Sequence, residues 1–445
     1  MHILEILVGI MTLGCKVNQY ESEAIAEAME KAGFRIVPAE EVCDLYIINT
    51  CTVTAESDRK ARQFIRRAIT TNPAAYIIVT GCMAQNQPER TAMIPGVDAV
   101  CGNDRKMDVV DIARRLIAQG SKNPDALIRV ENLENAPFEP MCISRFNRTR
   151  AYVKIEDGCE SRCAYCAIPL ARGKIRSKPM KEILREVEGL VQGGCREVVL
   201  TGIETGSWGK DLADGDFADL LCAVDAIPGI GRVRLGSLDP AIIKPEFIEK
   251  IAPLTSLTPH FHLSVQSGCT QVLALMRRKY TAESALTRME ALRAAIPGVQ
   301  FTTDIITGFP GERDEDFAET VRFAQQAKFL MIHVFPYSGR AGTAAINMPD
   351  QVPMEIRRKR AAELIHVAKS VRQSILEEII CTSPEKEVLF ESAENGYAYG
   401  HTPEFIEVRV PSPAPLHGDV RQVRLLRANG DFCDGELLPP VRDRH

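Results

Sequence analysis

No run of apolar residues in this sequence is long enough to cross a bilayer, so no membrane-spanning helix is expected. The N-terminus lacks a basic flank followed by an apolar core and a small-residue cleavage site, so no signal peptide is expected and the chain reads as cytoplasmic. A large excess of charge is also missing. The net charge of −5 gives no global signal for nucleic-acid binding, and only local basic clusters keep that function open. With 45% hydrophobic and 25% charged residues the composition is that of a folded globular protein. Its 445 residues exceed one ordinary core and point to two or three domains. Cysteine, by contrast, is plentiful. Fourteen in an intracellular chain argue for metal or redox use over disulfides.

Three of them, Cys159, Cys163 and Cys166, form a C-x3-C-x2-C pattern. Three closely spaced thiolates can hold three irons of a 4Fe–4S cubane and leave the fourth iron open. An open iron can chelate the amino and carboxylate groups of S-adenosylmethionine and pass an electron to its sulfonium, giving a deoxyadenosyl radical. A structural zinc is the competing reading. It needs a fourth ligand, yet the next Cys or His after Cys166 is Cys195, and Cys142 lies upstream of the adjoining strand. That strand is expected over 151–155, and a loop at the carboxyl end of a strand is where α/β folds place their chemistry. Tyr165, between the second and third cysteines, is placed to lean its ring on the cofactor's adenine. A helix is expected from Met180 to Gln192.

The first 140 residues alternate strand and helix patterns, with strands expected over 6–12, 44–49, 75–80 and 97–101. Helices are expected over 21–32 and from Thr54, as N-cap, to Ile69. This rhythm predicts a doubly wound parallel sheet. Cys15, Cys51 and Cys82 each follow a strand. Parallel strands gather their carboxyl ends on one edge, so the three cysteines meet there and form a second candidate cluster site. Three independent buried thiols are the bland alternative, which is the expectation for Cys43 and Cys101.

Residues 131–150, with two prolines and Arg145, Arg148 and Arg150, read as an interdomain linker. Beyond it, strands expected over 151–156, 196–202, 231–237, 260–266, 299–307 and 330–336 predict an open (β/α)6 partial barrel. Its strand ends carry Thr201, Gly202, Ser237, Gln266 and Asp304, which would face a bound cofactor. Asp304 lies inside an apolar strand and needs a partner there: cofactor, substrate or an arginine. A long helix begins near Arg357 and runs to about Ile380. After Cys381, short strand patterns at 387–390, 406–410 and 421–426 predict a small β-barrel. Arg409, Arg421, Arg424 and Arg427 would give it a basic, RNA-binding side. The expected domains are therefore 1–140, 141–380 and 381–445.

Over nearly its whole length the chain resembles the radical-SAM methylthiotransferases. The likeness rests on the stretches 12–22 and 49–54, the triad Cys159, Cys163 and Cys166, and the barrel stretches 264–269, 276–281 and 303–312. The C-terminal segment, with Tyr399 to Thr402, is similar to the family's RNA-binding TRAM domain. The stretches 13–18, 53–60 and 333–338 look most like the branch acting on threonylcarbamoyl-modified adenosine beside the tRNA anticodon, although Glu204 is expected in neither tRNA branch. The resemblance implies two 4Fe–4S clusters and S-adenosylmethionine as cofactors, and a tRNA anticodon stem-loop as partner. An electron donor such as flavodoxin or ferredoxin is implied too, with neither membrane nor DNA involved. The implied reaction replaces the adenine C2 hydrogen by methylthio. Three alternatives stay open: an isopentenyl-modified adenosine as substrate, a ribosomal-protein aspartate as substrate, and a non-enzymatic iron–sulfur protein that binds RNA.

Overall fold

The computed structural model describes residues 5–439 apart from 53–54, 147–148 and 214. The apolar runs at the start become strands β1 (Leu7–Thr12), β3 (Leu45–Thr50) and β4 (Tyr76–Gly81). Three-residue strands β2 (Arg35–Val37), β5 (Ala99–Cys101) and β6 (Leu127–Arg129) complete a six-stranded parallel sheet in the order β2-β1-β3-β4-β5-β6. Every residue of β3 and β4 is buried, as in strands covered by helices on both faces. Helix α1 (Lys16–Lys31) starts directly after Cys15, and the short α3 (Cys82–Asn86) starts on Cys82. Between them α2 spans Ala55–Thr71; the N-cap expected at Thr54 lies outside the described residues. Because β1 lies between β2 and β3, the chain winds in opposite directions from β1, which opens a crevice at the carboxyl ends of β1 and β3. Cys43 and Cys101 are core thiols, both fully buried.

The segment expected to be a linker is packed. Met141 and Ile143 are buried in the large central core. The Tyr20 hydroxyl donates to the Met141 carbonyl at 2.8 Å, and the Ser144 N–H donates to Glu27 at 2.8 Å. Its apolar residues and these buried acceptors outweigh the proline signal, so the strap is fixed against α1.

The central unit contains β7 (Arg150–Lys154), β8 (Glu156–Asp157), β9 (Arg176–Ser177), β10 (Glu197–Thr201) and β11 (Arg232–Leu235), then β12 (Ser237–Leu238), β13 (His260–Gln266), β14 (Gln300–Thr307) and β15 (Met331–Pro336). Strands β7, β10 and β11 form one parallel sheet and β12 to β15 another. The third of the six expected strands is thus split at Gly236 between the two halves of the open barrel. The β8–β9 ribbon closes the base of the cysteine loop, pairing Asp157 with Arg176.

Helix Met354–Thr382 leads into a closed barrel of β16 (Glu385–Glu394), β17 (Tyr397–His401), β18 (Glu407–Pro411), β19 (Val420–Asn429) and β20 (Phe432–Leu437). Two of its five strands, β17 and β20, were not expected; each carries a glycine and polar residues that mask the alternation. The barrel is fastened to the base of the central strands: Arg150 donates to both Glu391 oxygens at 2.7 Å, and Arg232 to Glu387 at 2.8 Å. No helix among the described residues is long and apolar enough to cross a membrane.

Candidate active site

Two cysteine sets lie at the junction of the first sheet and the open barrel, where the helix that starts on Cys82 packs against the helix Ile168–Arg172 that follows Cys166. In the first, Cys15 is open to the crevice while Cys51 and Cys82 are buried. Cys15 and Cys82 lie within electrostatic reach of each other. The glycine before Cys15 brings the backbone against Cys51: a Cβ on Gly14 would stand 2.7 Å from the Cys51 Cβ and 3.1 Å from its Sγ. Gly81, before Cys82, leaves no space either, since a Cβ there would lie 2.3 Å from the Thr50 carbonyl oxygen. Both glycines have positive φ, so the close approach of three chain segments depends on them.

In the second set each sulfur is met by an N–H donor. Ser161 N–H points to Cys159 Sγ at 3.3 Å, Arg278 Nη1 to Cys163 Sγ at 3.3 Å and Ile168 N–H to Cys166 Sγ at 3.4 Å. Donors aimed at sulfur are what iron-bound thiolates accept, and they help set a cluster's potential. Glu204, at the end of β10, accepts a hydrogen bond from the Cys159 thiol at 3.0 Å. Burial pushes the Cys166 thiol up to about 11, so iron binding to this loop must release protons.

A buried ionic network joins the two sets. Arg172, the last residue of the helix Ile168–Arg172 that starts two residues after Cys166, pairs with Glu21 and with Asp157 at 3.1 Å, and donates to Asn18 at 2.6 Å. Lys106 pairs with Glu21, Lys154 with Glu21 at 2.8 Å and Asp157 at 2.6 Å, and Arg176 lies 3.5 Å from Asp157. Four cations thus surround two carboxylates. This surplus acts on Cys15 and Cys82 through Arg172 and suits anionic, thiolate-ligated iron. The donor sets, the N–H groups on sulfur and the surplus of positive charge all fit iron–sulfur clusters.

Beside Cys166 lies a cavity of about 220 Å³, lined also by Thr52, Tyr165, Gln266, Asp304 and Phe335. It brings together three of the six residues expected at the cofactor. The Tyr165 ring meets Phe309 edge-on, with centroids 6.4 Å apart. Thr201 and Gly202 sit at the end of β10, Thr201 buried and Gly202 against the Glu156 carboxylate. Ser237 is exposed at the strand break. Asp304 finds neither an arginine nor a second acid: its Oδ2 lies 3.2 Å from His262 Nε2, with His333 beside them. That histidine partner was missed, because His262 and Asp304 meet only through the pairing of β13 with β14.

The four arginines expected to give the barrel a basic, RNA-binding side are each paired with a carboxylate. Arg409 meets Asp434 at 2.6 Å and lies over the Tyr397 and Phe432 rings. Arg421 meets Asp419 at 3.0 Å, Arg424 meets Glu385 at 2.8 Å and Arg427 meets Asp434 at 3.2 Å. The face is a mosaic of ion pairs because Glu385 and Asp434 on neighbouring strands, and Asp419 just before the strand of Arg421, fall beside them.

Residues 7–102 match the family model described as Uncharacterized protein family UPF0004, and residues 153–324 match the Radical SAM superfamily. The chain is 39% identical to the threonylcarbamoyladenosine tRNA methylthiotransferase MtaB of Bacillus subtilis, over 98% of this chain and 97% of that one. It is 40% identical to the Thermotoga maritima protein of the same name, over 86% of each. A tRNA-2-methylthio-N(6)-dimethylallyladenosine synthase of Desulfitobacterium hafniense is 34% identical over the full length of both. Among solved structures, the radical S-adenosylmethionine methyltransferase TsrM of Kitasatospora setae superposes with a TM-score of 0.54 at 14% identity, covering 74% of this chain and 75% of that one.

Proposed function

The chain belongs to the radical-SAM tRNA methylthiotransferases, and from that premise we infer that it converts N6-threonylcarbamoyladenosine beside the anticodon to its 2-methylthio derivative. The observation that carries this reading is the presence of two three-cysteine sets, each able to leave an iron open to a ligand, beside a cavity lined by Cys166 of one set and by Thr52, the neighbour of Cys51 in the other. Cys159, Cys163 and Cys166 would hold one 4Fe–4S cluster and Cys15, Cys51 and Cys82 the other. When bound, the clusters and S-adenosylmethionine supply the radical cleavage of the adenine C2–H bond and the methylated sulfur that replaces the hydrogen.

The chain's own groups position these parts. Gly14 brings the backbone before Cys15 against Cys51, and Gly81 brings the backbone before Cys82 against Thr50, the residue preceding Cys51. Arg172 locks the helix after Cys166 to α1, so the distance between the two sets is fixed by buried ion pairs. Tyr165, Gln266 and Asp304 line the cavity in which S-adenosylmethionine and the target base would meet, and Thr201, Gly202 and Ser237 lie at neighbouring strand ends. An anticodon-loop base is single-stranded and can be splayed into such a cavity without opening a duplex. Arg409, Arg421, Arg424 and Arg427 would contact phosphates, trading their carboxylate partners for RNA. The work divides among residues 1–140 (second cluster), 141–380 (radical chemistry) and 381–445 (RNA), in the cytoplasm, with electrons from a flavodoxin- or ferredoxin-type donor.

Mass spectrometry of tRNA nucleosides from a deletion strain tests this. The 2-methylthio-threonylcarbamoyl nucleoside should disappear and its unthiolated precursor accumulate. Loss of the 2-methylthio-dimethylallyl nucleoside instead would move the chain to the other tRNA branch.

A further inference from the structure

Lys16 is the first residue of α1, directly after Cys15. Its ammonium is within electrostatic reach of Arg150 on β7, Glu197 on β10, Arg234 on β11, His260 on β13, Asp304 on β14 and His333 on β15. These groups lie on six strands of the barrel, so the side chain extends from the first sheet toward the barrel lumen. It makes no hydrogen bond or ion pair with any described residue. Glu197 and Asp304 are the carboxylates within reach of it, yet neither forms a direct ion pair, so this desolvated ammonium is stabilised further when an anion arrives to meet it.

The lumen wall beside it is polar in a specific way. His262 Nδ1 is held by Thr302 Oγ1 at 2.9 Å, and its Nε2 is 3.2 Å from Asp304. His333 is exposed to the lumen, has no hydrogen-bond partner among the described residues, and has its ring centroid 5.9 Å from that of His262. Ligand atoms of His262, Asp304 and His333 all lie within 4.8 Å of one another. Asp304 also lines the cavity shared with Cys166 and Gln266, so this corner opens onto the place where the target base would lie.

We propose that Lys16, His333 and Asp304 form the subsite that recognises the anionic substituent on the substrate adenine: Lys16 and His333 take its carboxylate, and Asp304 accepts from its ureido N–H or hydroxyl. His262 is a positioning residue that holds Asp304. This rests on the function proposed above, because the threonylcarbamoyl arm carries those groups. A dimethylallyl arm would leave the ammonium and the carboxylate unpaired, and a site built to pair polar groups strongly rejects an analogue lacking them. Two imidazoles and a carboxylate are also a donor set for a divalent metal. The ammonium acting on Asp304 and His333 disfavours a cation there.

The test uses the full-length chain with both clusters reconstituted. Binding is measured to an anticodon stem-loop carrying N6-threonylcarbamoyladenosine and to the same RNA with plain adenosine, alongside methylthiolation by the wild type. The wild type should prefer the modified RNA by tenfold or more, and Lys16→Met, His333→Leu and Asp304→Asn should each reduce that preference about 10- to 100-fold. If Lys16→Met loses iron because it adjoins Cys15, the other two variants decide. A wild type that methylthiolates the modified RNA, with variants that keep its preference, overturns the subsite alone. A wild type that does not methylthiolate that RNA overturns the proposed function. One equivalent of a divalent metal beyond the cluster iron, removed by His333→Leu and needed for the preference, would replace the subsite with a metal centre.

Discussion

Cys51 separates two chemical steps. It belongs to the set on the first sheet, while Cys159, Cys163 and Cys166 sit on the barrel loop. Cys51→Ala should therefore still cleave S-adenosylmethionine to deoxyadenosine, measured by chromatography, and yield no methylthiolated nucleoside. Iron analysis gives a companion expectation: about eight irons for the reconstituted wild type, and about half of that when Cys159, Cys163 and Cys166 are all alanine. Both cysteine sets were legible in the sequence, one from spacing and the other from its recurrence after successive strands. Arg172 was not, because its partner Glu21 lies 151 residues away and no local pattern announces the pair. Removing that side chain while keeping its bulk, as in Arg172→Met, leaves Glu21 and Asp157 with three cations but removes the buried charge-assisted hydrogen bonds to Glu21, Asp157 and Asn18. Such a loss costs about 1.5–3 kcal/mol and should show as a lowered unfolding midpoint of the iron-free protein.

At the scale of elements, the central strands were legible because each is apolar, bounded by turns and followed by an amphipathic helix. Helix Met180–Gln192 has the limits its sequence suggests, whereas α1 begins five residues earlier than Glu21, right behind the cysteine. The weak elements were short edge strands and the glycine-bearing β17 and β20, which owe their form to their neighbours. The contact of β7 with β16 also lies beyond sequence reading, and it has a pH signature. Burial would raise the Glu391 carboxyl, but His401 and Arg150 overcome it and hold the group down at about 2. An unfolded glutamate titrates near 4.3. A carboxyl lowered on folding stabilises above its unfolded value and loses that contribution as pH falls toward the folded one. Glu391→Gln should thus cost about 3 kcal/mol at neutral pH, and its gap to the wild type should close between roughly pH 4.5 and 2. Urea midpoints of the two iron-free proteins across that range check it.

At the scale of the whole molecule, the remaining question is which surface meets the RNA backbone. Cutting the chain near residue 383 would be a poor test, since it strips Arg150 and Arg232 of Glu391 and Glu387 and uncovers the barrel base. Substitution is cleaner. Arg421, Arg424 and Arg427 are exposed, with 47%, 48% and 72% of their side-chain surfaces open, so exchanging them for glutamine disturbs no core. Each already has a carboxylate partner, and exchanging that partner for a phosphate releases fewer counterions than a free arginine would. The triple variant should bind tRNA more weakly, with a log–log salt slope flatter by about 1–2 where three unpaired cations on single-stranded RNA would give about 2. Helix α2 offers the contrasting surface. Its Lys60, Arg66 and Arg67 are exposed, have no ion pair among the described residues and lie on the helix that follows Cys51. An unchanged affinity and slope in the barrel variant, with both falling when the α2 cations are neutralised, would place the backbone contact on the first sheet, on the side of Cys15, Cys51 and Cys82. The barrel arginines would then serve only their carboxylate partners.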